Sequence, residues 1–484
     1  QLTDNVSWLA GRHSFSFGGE LRKYIAPNNY TQRSRGDYEY STVEQFLLDT
    51  SPDVNAMRGI GNVRFYGDQV ATYWHAQDSW RLRPNLTLNL GLRYEYTTIP
   101  YTTRLQSLNA GASVPGVLEF REPKAPKNAF APRVGVAYTP GHRGSMTIRA
   151  GFGMAYDVLC DNLSILALPP QLGTLVDVSG AGTSNFLAAG GISPNMPGGP
   201  TPTADDLKAA TAYYIPNNQT LPYALQWNLG VERVFANNYT FEVRYLGTRG
   251  VHLPVQQQIN RTPRVTADRN IPEYSTAPSA QTLASLPLTV GDIRAASNLL
   301  PSFAAAGFLN PITAWTPEGM SSYHGLAFDL ARRFASGWQL RSSYTWSHLM
   351  DNSTSEVGST FLTPRRAQDS QNLRPEWATS MLDRRHRIVV SAIYETPWLK
   401  HSNNWFNRNV AAGWEVAPTY VYESPEYFTV QSGVDSNLNG DSAADRAWIN
   451  PGGVAHTASD VYGLDRNGNR ISVSAPTAQV NQVV

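Results

Sequence analysis

A stretch near the carboxyl end of the chain spaces oxygen-bearing side chains at every second position, with glycine sixth at Gly440. The oxygen-bearing residues are Asp435, Asn437, Asn439 and Asp441. This spacing matches the start of an EF-hand calcium loop, in which the glycine permits a sharp turn. The twelfth position holds Arg446 instead of the glutamate that an EF-hand requires, so that motif is incomplete. The sequence therefore predicts either a Ca²⁺ site of another kind or a metal-free Asn/Asp/Gly turn.

Arginine is concentrated in a second stretch, which precedes a predicted strand and enters it. Its members are Arg365, Arg366, Arg374, Arg384, Arg385 and Arg387. A guanidinium group binds phosphate or carboxylate through two parallel hydrogen bonds, so such a cluster can hold an anion. We predict an anion site at four of these residues, with ordinary salt bridges inside a loop as the open alternative. The four are Arg365, Arg366, Arg384 and Arg385.

No pattern of residues for catalysis stands out. The sequence contains neither HExxH nor GxSxG nor a P-loop, and its nine histidines are scattered. The single cysteine, Cys160, excludes an intramolecular disulfide and a multi-cysteine metal site. With a formal net charge of +1 and 16% charged residues, the chain gives no indication of the basic surface of a nucleic-acid-binding protein. We therefore expect neither an enzyme nor a nucleic-acid-binding protein.

Hydrophobic periodicity predicts the elements that must position these residues, most clearly in residues 86–96. Every even-numbered residue there, from Leu86 to Tyr96, is apolar or aromatic, and every odd-numbered one is polar, charged or glycine. A period of two places the two sets on opposite faces of a β-strand. The turn at Pro84-Asn85 joins this run to a preceding strand-like run. The unit is a hairpin with one apolar face and one polar face.

The rest of the chain repeats this hairpin. Strand pairs are predicted at 2–9 with 13–24, 130–139 with 145–157, 223–234 with 239–248, 322–333 with 338–349, and 387–396 with 414–430. Links within the pairs are mostly short, but long links cover 99–129, 158–221, 251–321 and 350–385. This alternation is typical of an all-β transmembrane antiparallel barrel with short periplasmic turns and long extracellular loops. No run of about 18 apolar residues is present, which excludes a transmembrane helix.

Counting strands tests this topology. Two turns at the same end of a barrel, Gly11-Arg12 and Pro84-Asn85, require an even number of strands between them. Three strands are predicted there, at 13–24, 35–42 and 62–82. We therefore expect one further strand within residues 44–61.

In a transmembrane barrel the apolar set of side chains faces lipid and the polar set faces the lumen. The charged residues predicted to face the lumen are Arg93, Glu95, Arg149, Glu232, Arg244, Arg341 and Arg387. Charges of both signs, separated by small residues, suit a hydrated interior that holds a plug or passes a solute. The alternative is that these residues face water on an open sheet of a soluble protein.

Several sequence phrases are shared with one known family. They are QDSWRL at 77–82, NLTLNLGLRYE at 85–95, FAPRVG at 130–135, IRAGFG at 148–153, DRRHR at 383–387 and GW at 413–414. In these phrases the chain resembles the TonB-dependent outer-membrane receptors of the Oar-like group. The matches span about residues 64–450, and the phrase at 77–95 is the most specific of them.

The resemblance implies a barrel of about 22 strands that is closed by an N-terminal plug and energised by TonB. About fourteen strands are predicted, and neither plug nor TonB box is found, so residues 1–484 are expected to be part of one such barrel domain. The implied location is the bacterial outer membrane. The implied partners are outer-membrane lipid, lipopolysaccharide at the arginine cluster, TonB through an N-terminal region, and an unidentified extracellular ligand.

The resemblance also implies a function, which is ligand binding at the extracellular loops followed by movement across the outer membrane. One alternative is a structural or adhesive outer-membrane barrel that binds surface partners without transport. Another is a soluble secreted all-β protein, which predicts polar residues on both faces of the sheet and is contradicted by residues 86–96. The only cofactor we expect is Ca²⁺, in the stretch 435–441.

Overall fold

The structure is a computed structural model. It describes residues 1–29, 33–61, 64–141, 145–158, 173–193, 203–272, 278–353, 366–395, 401–432, 434–441, 445–446, 463–464, 467, 469–471 and 482–483. Cys160 and Arg365 lie outside these ranges. No helix within them is long and apolar enough to cross a membrane.

The described residues form strands joined by turns, with only short helices. In chain order the strands are β1 (Leu2–Ala10), β2 (His13–Tyr24), β3 (Pro27–Asn29), β4 (Asp37–Glu39), β5 (Asn55–Gly61), β6 (Arg64–Tyr66), β7 (Gln69–Arg83), β8 (Leu86–Thr97), β9 (Ala129–Tyr138), β10 (Met146–Tyr156), β11 (Gly173–Asp177), β12 (Tyr213–Tyr214), β13 (Tyr223–Phe235), β14 (Tyr239–Gln258), β15 (Thr313–Ala335), β16 (Trp338–Asp351), β17 (Ala378–Thr379), β18 (His386–Glu395), β19 (Glu415–Val416), β20 (Thr419–Glu423), β21 (Gly463–Leu464), β22 (Arg470–Ile471) and β23 (Gln482–Val483). The α-helices are Val43–Leu47, Ala204–Ala210, Ala280–Ala284, Val290–Ala295 and Pro301–Ala306. Tyr101–Ala112 and Arg374–Glu376 are 3₁₀-helices, and Asn407–Ala411 is a π-helical turn.

One large sheet of 15 strands dominates the described part of the chain. Its order is β1-β2-β7-β8-β9-β10-β13-β14-β15-β16-β18-β19, and every pairing along this path is antiparallel. β20 also pairs with β18, β17 pairs with β16, and β12 makes a short parallel pairing with β15. Strands that follow one another along this path are neighbours, as in the up-and-down arrangement of a transmembrane barrel.

The pairing of β8 with β9 confirms the predicted alternation of faces. Leu90 lies opposite Val134, and their neighbours Asn89 and Gly135 lie opposite each other on the other face. Leu90 and Val134 remain 43% and 50% exposed, although both are apolar. Because a soluble protein rarely leaves such a continuous apolar face in water, this side of the sheet requires an apolar environment.

Short turns join most of the strands at one end of the sheet, and the connection 396–414 between β18 and β19 is a longer exception. Ser336 and Gly337 alone connect β15 to β16, and both have positive φ (51° and 83°), as a type I′ hairpin turn requires. Gly11, with a φ of 59°, serves the equally short turn between β1 and β2. At the opposite end the connections are long, and they cover 25–68, 98–128, 157–222, 259–312 and 352–385.

The prediction that the barrel wall includes strands at 35–42 and within 44–61 is wrong. Among the described residues, the first range contributes β4 and the second contributes most of the helix Val43–Leu47 and all of β5, and none of these joins the large sheet. β5 pairs with both β4 and β11, and the three strands form a separate sheet of the loops. Among the described residues, the only strands of the large sheet between the two same-end turns are β2 and β7, so the required even number is satisfied. Short alternating segments cannot reveal whether a strand pairs within the barrel wall or within a loop.

Strands β14 and β15 are longer than the predicted ranges 239–248 and 322–333. They stay paired as far as Gln258 and Thr313, beyond register shifts near His252, which has a φ of 56°. A bulge adds a residue to one strand, so the alternation changes face beyond it. A search for a strict period of two therefore ends at the bulge.

The last predicted strand, 414–430, is also wrong in extent. The structure has only the short strands β19 and β20 there, and Pro418 separates them. Pro425 follows β20 by two residues. Proline lacks the N–H that a ladder hydrogen bond needs, so strands end beside it.

The long connections pack into two hydrophobic cores of their own. The larger loop core consists of Ala112, Leu118, Phe120, Leu207, Phe308 and Ile312. The smaller loop core consists of Ala56, Phe186 and Ile192, with Tyr38, Val176, Val178 and Leu187 packed against it. Because each core combines residues from different connections, the described parts of these connections form an ordered assembly at one end of the sheet.

Candidate functional site

The residue pairs between neighbouring strands show which side chains share a face of the large sheet from β8 to β18. The pairs on this face include Gly91 with Arg133, Arg133 with Gly153, Thr147 with Glu232, Glu232 with Glu242, Glu242 with Asp329, Asp329 with Ser343 and Ser343 with Val389. Since alternate residues of a strand share a face, all seven charged residues predicted to face the lumen lie on this polar face. They are Arg93, Glu95, Arg149, Glu232, Arg244, Arg341 and Arg387.

Two arginines share one tyrosine ring on the polar face, near the long-loop end. Arg93 donates from Nε to Glu95 at 2.8 Å, and its guanidinium lies 4.8 Å from the centre of the Tyr73 ring. Arg22 lies over the same ring at 5.5 Å and pairs with Glu20. A cation–π contact contributes about 0.5–1 kcal/mol at an exposed site. These contacts hold the two guanidinium groups in place on the face.

A second group of charges lies on the same face near the short turns. Arg244 donates to Asp329 at 3.0 Å and lies 3.5 Å from Glu242. Arg149 donates to Glu232 at 3.4 Å. Partly exposed pairs of this kind contribute about 0–1 kcal/mol each, so they add little to stability. Their effect is to line the face with alternating charge.

The last two predicted residues lie on the strands beyond. Arg387 lies 3.5 Å from Glu423 of the neighbouring β20. Arg341 is exposed, and no ion pair forms at it within the part of the chain that the structure describes. The polar face thus carries mostly paired charges, with Arg341 as an exposed cation.

The predicted calcium stretch 435–441 folds into a tight turn in which side chains accept hydrogen bonds from the backbone. Asp435 accepts the N–H of Asn439 at 3.0 Å and that of Gly440 at 2.8 Å. Asn439 in turn accepts the N–H of Asp441 at 2.7 Å. Gly440 has a φ of 95°, which only glycine adopts without strain. The structure therefore brings the predicted oxygen-bearing residues into one turn.

This turn joins several long connections. The backbone carbonyl of Asn437 accepts the N–H of Arg264 at 3.0 Å, and that of Asn439 accepts a side-chain N–H of Asn298 at 3.0 Å. The side chain of Asn439 donates to the backbone carbonyl of Gln368 at 3.1 Å. The connections 259–312 and 352–385 are thereby fastened to the turn.

Sequence reasoning missed Asp445, which completes this turn. Asp445 is 0% exposed, and one of its oxygens, Oδ2, accepts the backbone N–H groups of Ser436 and Asn437. Burial raises the pKa of this carboxyl group above its ordinary value, although these hydrogen bonds oppose the shift. Counted from Asp435, Asp445 is at position eleven, one residue before the position at which an EF-hand has its glutamate. This acidic residue could have been noticed in the sequence. No three His, Cys, Asp or Glu residues form a metal-binding group within the described ranges.

The described members of the predicted anion site each have a carboxylate partner. Arg366 pairs with Asp441, and Arg385 lies 3.3 Å from Asp383. Arg384 donates to Glu423 at 2.8 Å and also pairs with Glu426. This arrangement supports the alternative of salt bridges inside the loops, and anion binding stays a prediction.

Comparison with family models decides the class of protein. The model of the outer membrane beta barrel domain matches residues 1–479 of the chain. The chain belongs to this family. It is therefore an outer-membrane β-barrel protein, and its location is the bacterial outer membrane, as predicted.

Solved structures similar to this barrel protein include three that share low sequence identity with it. The FrpB iron transporter (F3-3 variant) from Neisseria meningitidis is 10% identical with a TM-score of 0.40, and the match covers 81% of this chain and 39% of that one. Pseudomonas aeruginosa FpvA bound to a heterologous pyoverdine is 9% identical with a TM-score of 0.42, covering 89% and 38%. The outer membrane transporter YddB from Escherichia coli is 11% identical with a TM-score of 0.39, covering 87% and 47%. The chain spans less than half the length of each, and no curated protein matches it.

Membership in the family explains the exposed apolar face of the barrel. Side chains such as Leu90, Val134 and Leu229, which are 43%, 50% and 51% exposed, face the hydrocarbon of the bilayer. The short turns then lie on the periplasmic side and the long loops on the extracellular side. The turn at 435–441 and both loop cores belong to the extracellular assembly.

Proposed function

We propose that the chain forms part of the wall of a TonB-dependent receptor, which binds a ligand at its extracellular loops and moves it across the outer membrane. The observation that carries this proposal is the position of an ordered loop assembly at the end of a continuous polar face. Binding residues are commonly held on loops above a rigid scaffold, which is the arrangement of this chain. Transport through the lumen and coupling to TonB rest on the resemblance of its sequence phrases to those receptors.

The order within the loops supports a binding surface of fixed shape. Gln106, on the 3₁₀-helix Tyr101–Ala112, is buried and forms hydrogen bonds with both the N–H (2.7 Å) and the carbonyl (2.8 Å) of Ile215. It also donates to the carbonyl of Arg121 at 3.1 Å. One side chain thus holds two connections together, so less conformational entropy remains to be lost when a ligand binds.

The charges of the polar face support the passage of a hydrated solute. Arg149 and Arg244 are each paired, but these pairs are partly exposed and contribute little free energy. A polar solute can therefore exchange with these partners at small cost. A face of buried, tightly bonded ion pairs would not allow such exchange.

Energised uptake in the native bacterium tests the proposal. Cells with the gene, cells without it and complemented cells are given the same growth medium, with and without a protonophore, and the small molecules of the periplasm are compared by mass spectrometry. We expect at least one compound to accumulate only with the gene and only without protonophore.

A structural or adhesive barrel gives a different result. The periplasmic compounds are then the same in all strains, whereas attachment of cells to surfaces or to one another changes with the gene. That outcome would replace transport with surface binding, and it would leave the assignment of the barrel family intact.

A further inference from the structure

We propose that the turn at 435–441 together with Asp445 forms a calcium site that locks the extracellular loops to one another. The side-chain ligands are the oxygens of Asp435, Asn437, Asn439 and Asp445. Asp445 lies outside the spacing of the predicted motif, and a calcium site at this turn is independent of whether the barrel transports a solute.

The buried carboxylate of Asp445 is the observation that points to a ligand. It is 0% exposed, and its Oδ1 has no hydrogen-bond partner among the residues that the structure describes. Its other oxygen accepts N–H groups from Ser436 and Asn437, so the carboxylate is directed into the turn. A buried carboxylate oxygen without a partner is costly, and a bound cation removes that cost.

The chemistry of the turn favours a hard cation, and its spacing favours Ca²⁺ among hard cations. The side chains offer carboxylate and amide oxygens, with neither sulfur nor imidazole, and such hard ligands suit Ca²⁺. Asp435 stands first, Asn437 third, Asn439 fifth and Gly440 sixth, which are the ligand and glycine positions of a calcium loop. Asp445 at position eleven takes the role of the acidic residue that closes such a loop.

The pairing of Asp441 with Arg366 is consistent with this assignment. Position seven of a calcium loop contributes its backbone carbonyl, so the side chain of Asp441 is not required as a ligand. Arg366 donates hydrogen bonds to both carboxylate oxygens of that side chain. The charges of Asp435 and Asp445 then remain to balance the cation.

Calcium titration of the intact outer-membrane protein in detergent tests the site. Isothermal calorimetry should show one Ca²⁺ bound, with a dissociation constant on the order of 10⁻⁴–10⁻³ M, as in extracellular modules. Asp445→Asn should weaken the affinity by about tenfold or more, because it removes a charged ligand. Asp205→Asn is the matched control, because the side chain of Asp205 is 92% exposed on the helix Ala204–Ala210, and it should leave the affinity unchanged.

Proteolysis gives a second readout that does not depend on any variant. The unaltered protein should be cut by trypsin in the loops at least several-fold faster in EGTA than in millimolar Ca²⁺, with equal heat-modifiable mobility of the barrel on a gel. No heat of binding together with equal cleavage would overturn the proposal. Equal affinity of Asp445→Asn and the unaltered protein, both showing folded mobility, would overturn the assignment of Asp445.

Discussion

Arg366 holds Asp441 through two hydrogen bonds, from Nε to Oδ2 and from Nη2 to Oδ1, the second at 2.8 Å. Their side chains are only 15% and 7% exposed, so water screens the pair weakly. The pair links the connection 352–385 to the turn at 435–441. A residue predicted to bind an anion and one predicted to bind a cation therefore neutralise each other.

Breaking this pair from one side should loosen the loops. Arg366→Gln removes the guanidinium group from the buried carboxylate of Asp441, and removing one partner of a buried ion pair costs about 3–5 kcal/mol. Removing both charges, as Arg366→Gln with Asp441→Asn, should recover part of that loss. Hydrogen exchange in residues 366–376 measures both effects. A double variant that loses the sum of the losses of Arg366→Gln alone and Asp441→Asn alone would contradict the coupling.

Truncation of the larger loop core should act on the loops and leave the barrel wall intact. Phe308 is 0% exposed among residues of several connections, and Phe308→Ala should cost about 3–5 kcal/mol. Protease digestion of whole cells should then cut the extracellular loops faster. Phe152→Ala is the control, because Phe152 is 43% exposed on the lipid-facing side. Equal loop cleavage in both variants would show that the loops have no common core.

As the pH is lowered, the smaller loop core should unfold before the barrel wall does. Hydrogen bonds lower the pKa values of three aspartates in this region. The donors are Arg33 for Asp37, Ser41 for Asp53 and Ser179 for Asp177. A carboxyl group with a lowered pKa stabilises the folded state above its ordinary value of about 3.9, and this contribution is lost as the pH falls through the lowered value.

Limited pepsin digestion at pH 3 and at pH 5 measures this acid sensitivity. Residues 33–61 and 173–193 should be cleaved faster at pH 3, after correction for the activity of the enzyme on an unfolded substrate. The variant Asp53→Asn should show the faster cleavage at pH 5 already. Equal corrected rates at the two pH values in the unaltered protein would refute the role of these carboxylates.

The alternation of the long strands could be predicted from sequence because one face touches lipid and the other faces water along a whole strand. Residues 86–96 therefore predicted both the strand and its faces, and pairing placed all seven predicted lumen residues on one face. The loop strands β4 and β5 could not be assigned, because β5 pairs with β11 more than 100 residues away and β4 joins that sheet only through β5. Local periodicity contains no information about such a partner.

The extracellular turn was predictable only in part. The spacing from Asp435 to Asp441 indicated the turn, since its hydrogen bonds are local. Asp445 was missed because its importance comes from burial, which depends on the packing of other loops. The pairing of Arg366 with Asp441 likewise joins residues distant in sequence. Contacts of this kind become visible only in the folded chain.

The most direct test of a barrel wall with one apolar and one polar face is the accessibility of the two faces of β8 in the native outer membrane. Single cysteines replace Asn89 on the polar face and Leu90 on the apolar face, in a Cys160→Ser background, and intact membranes are treated with a charged, water-soluble maleimide. We predict rapid labelling at position 89 and labelling at least tenfold slower at position 90. Equal labelling at both positions would contradict a barrel wall with lipid on one side and a hydrated lumen on the other.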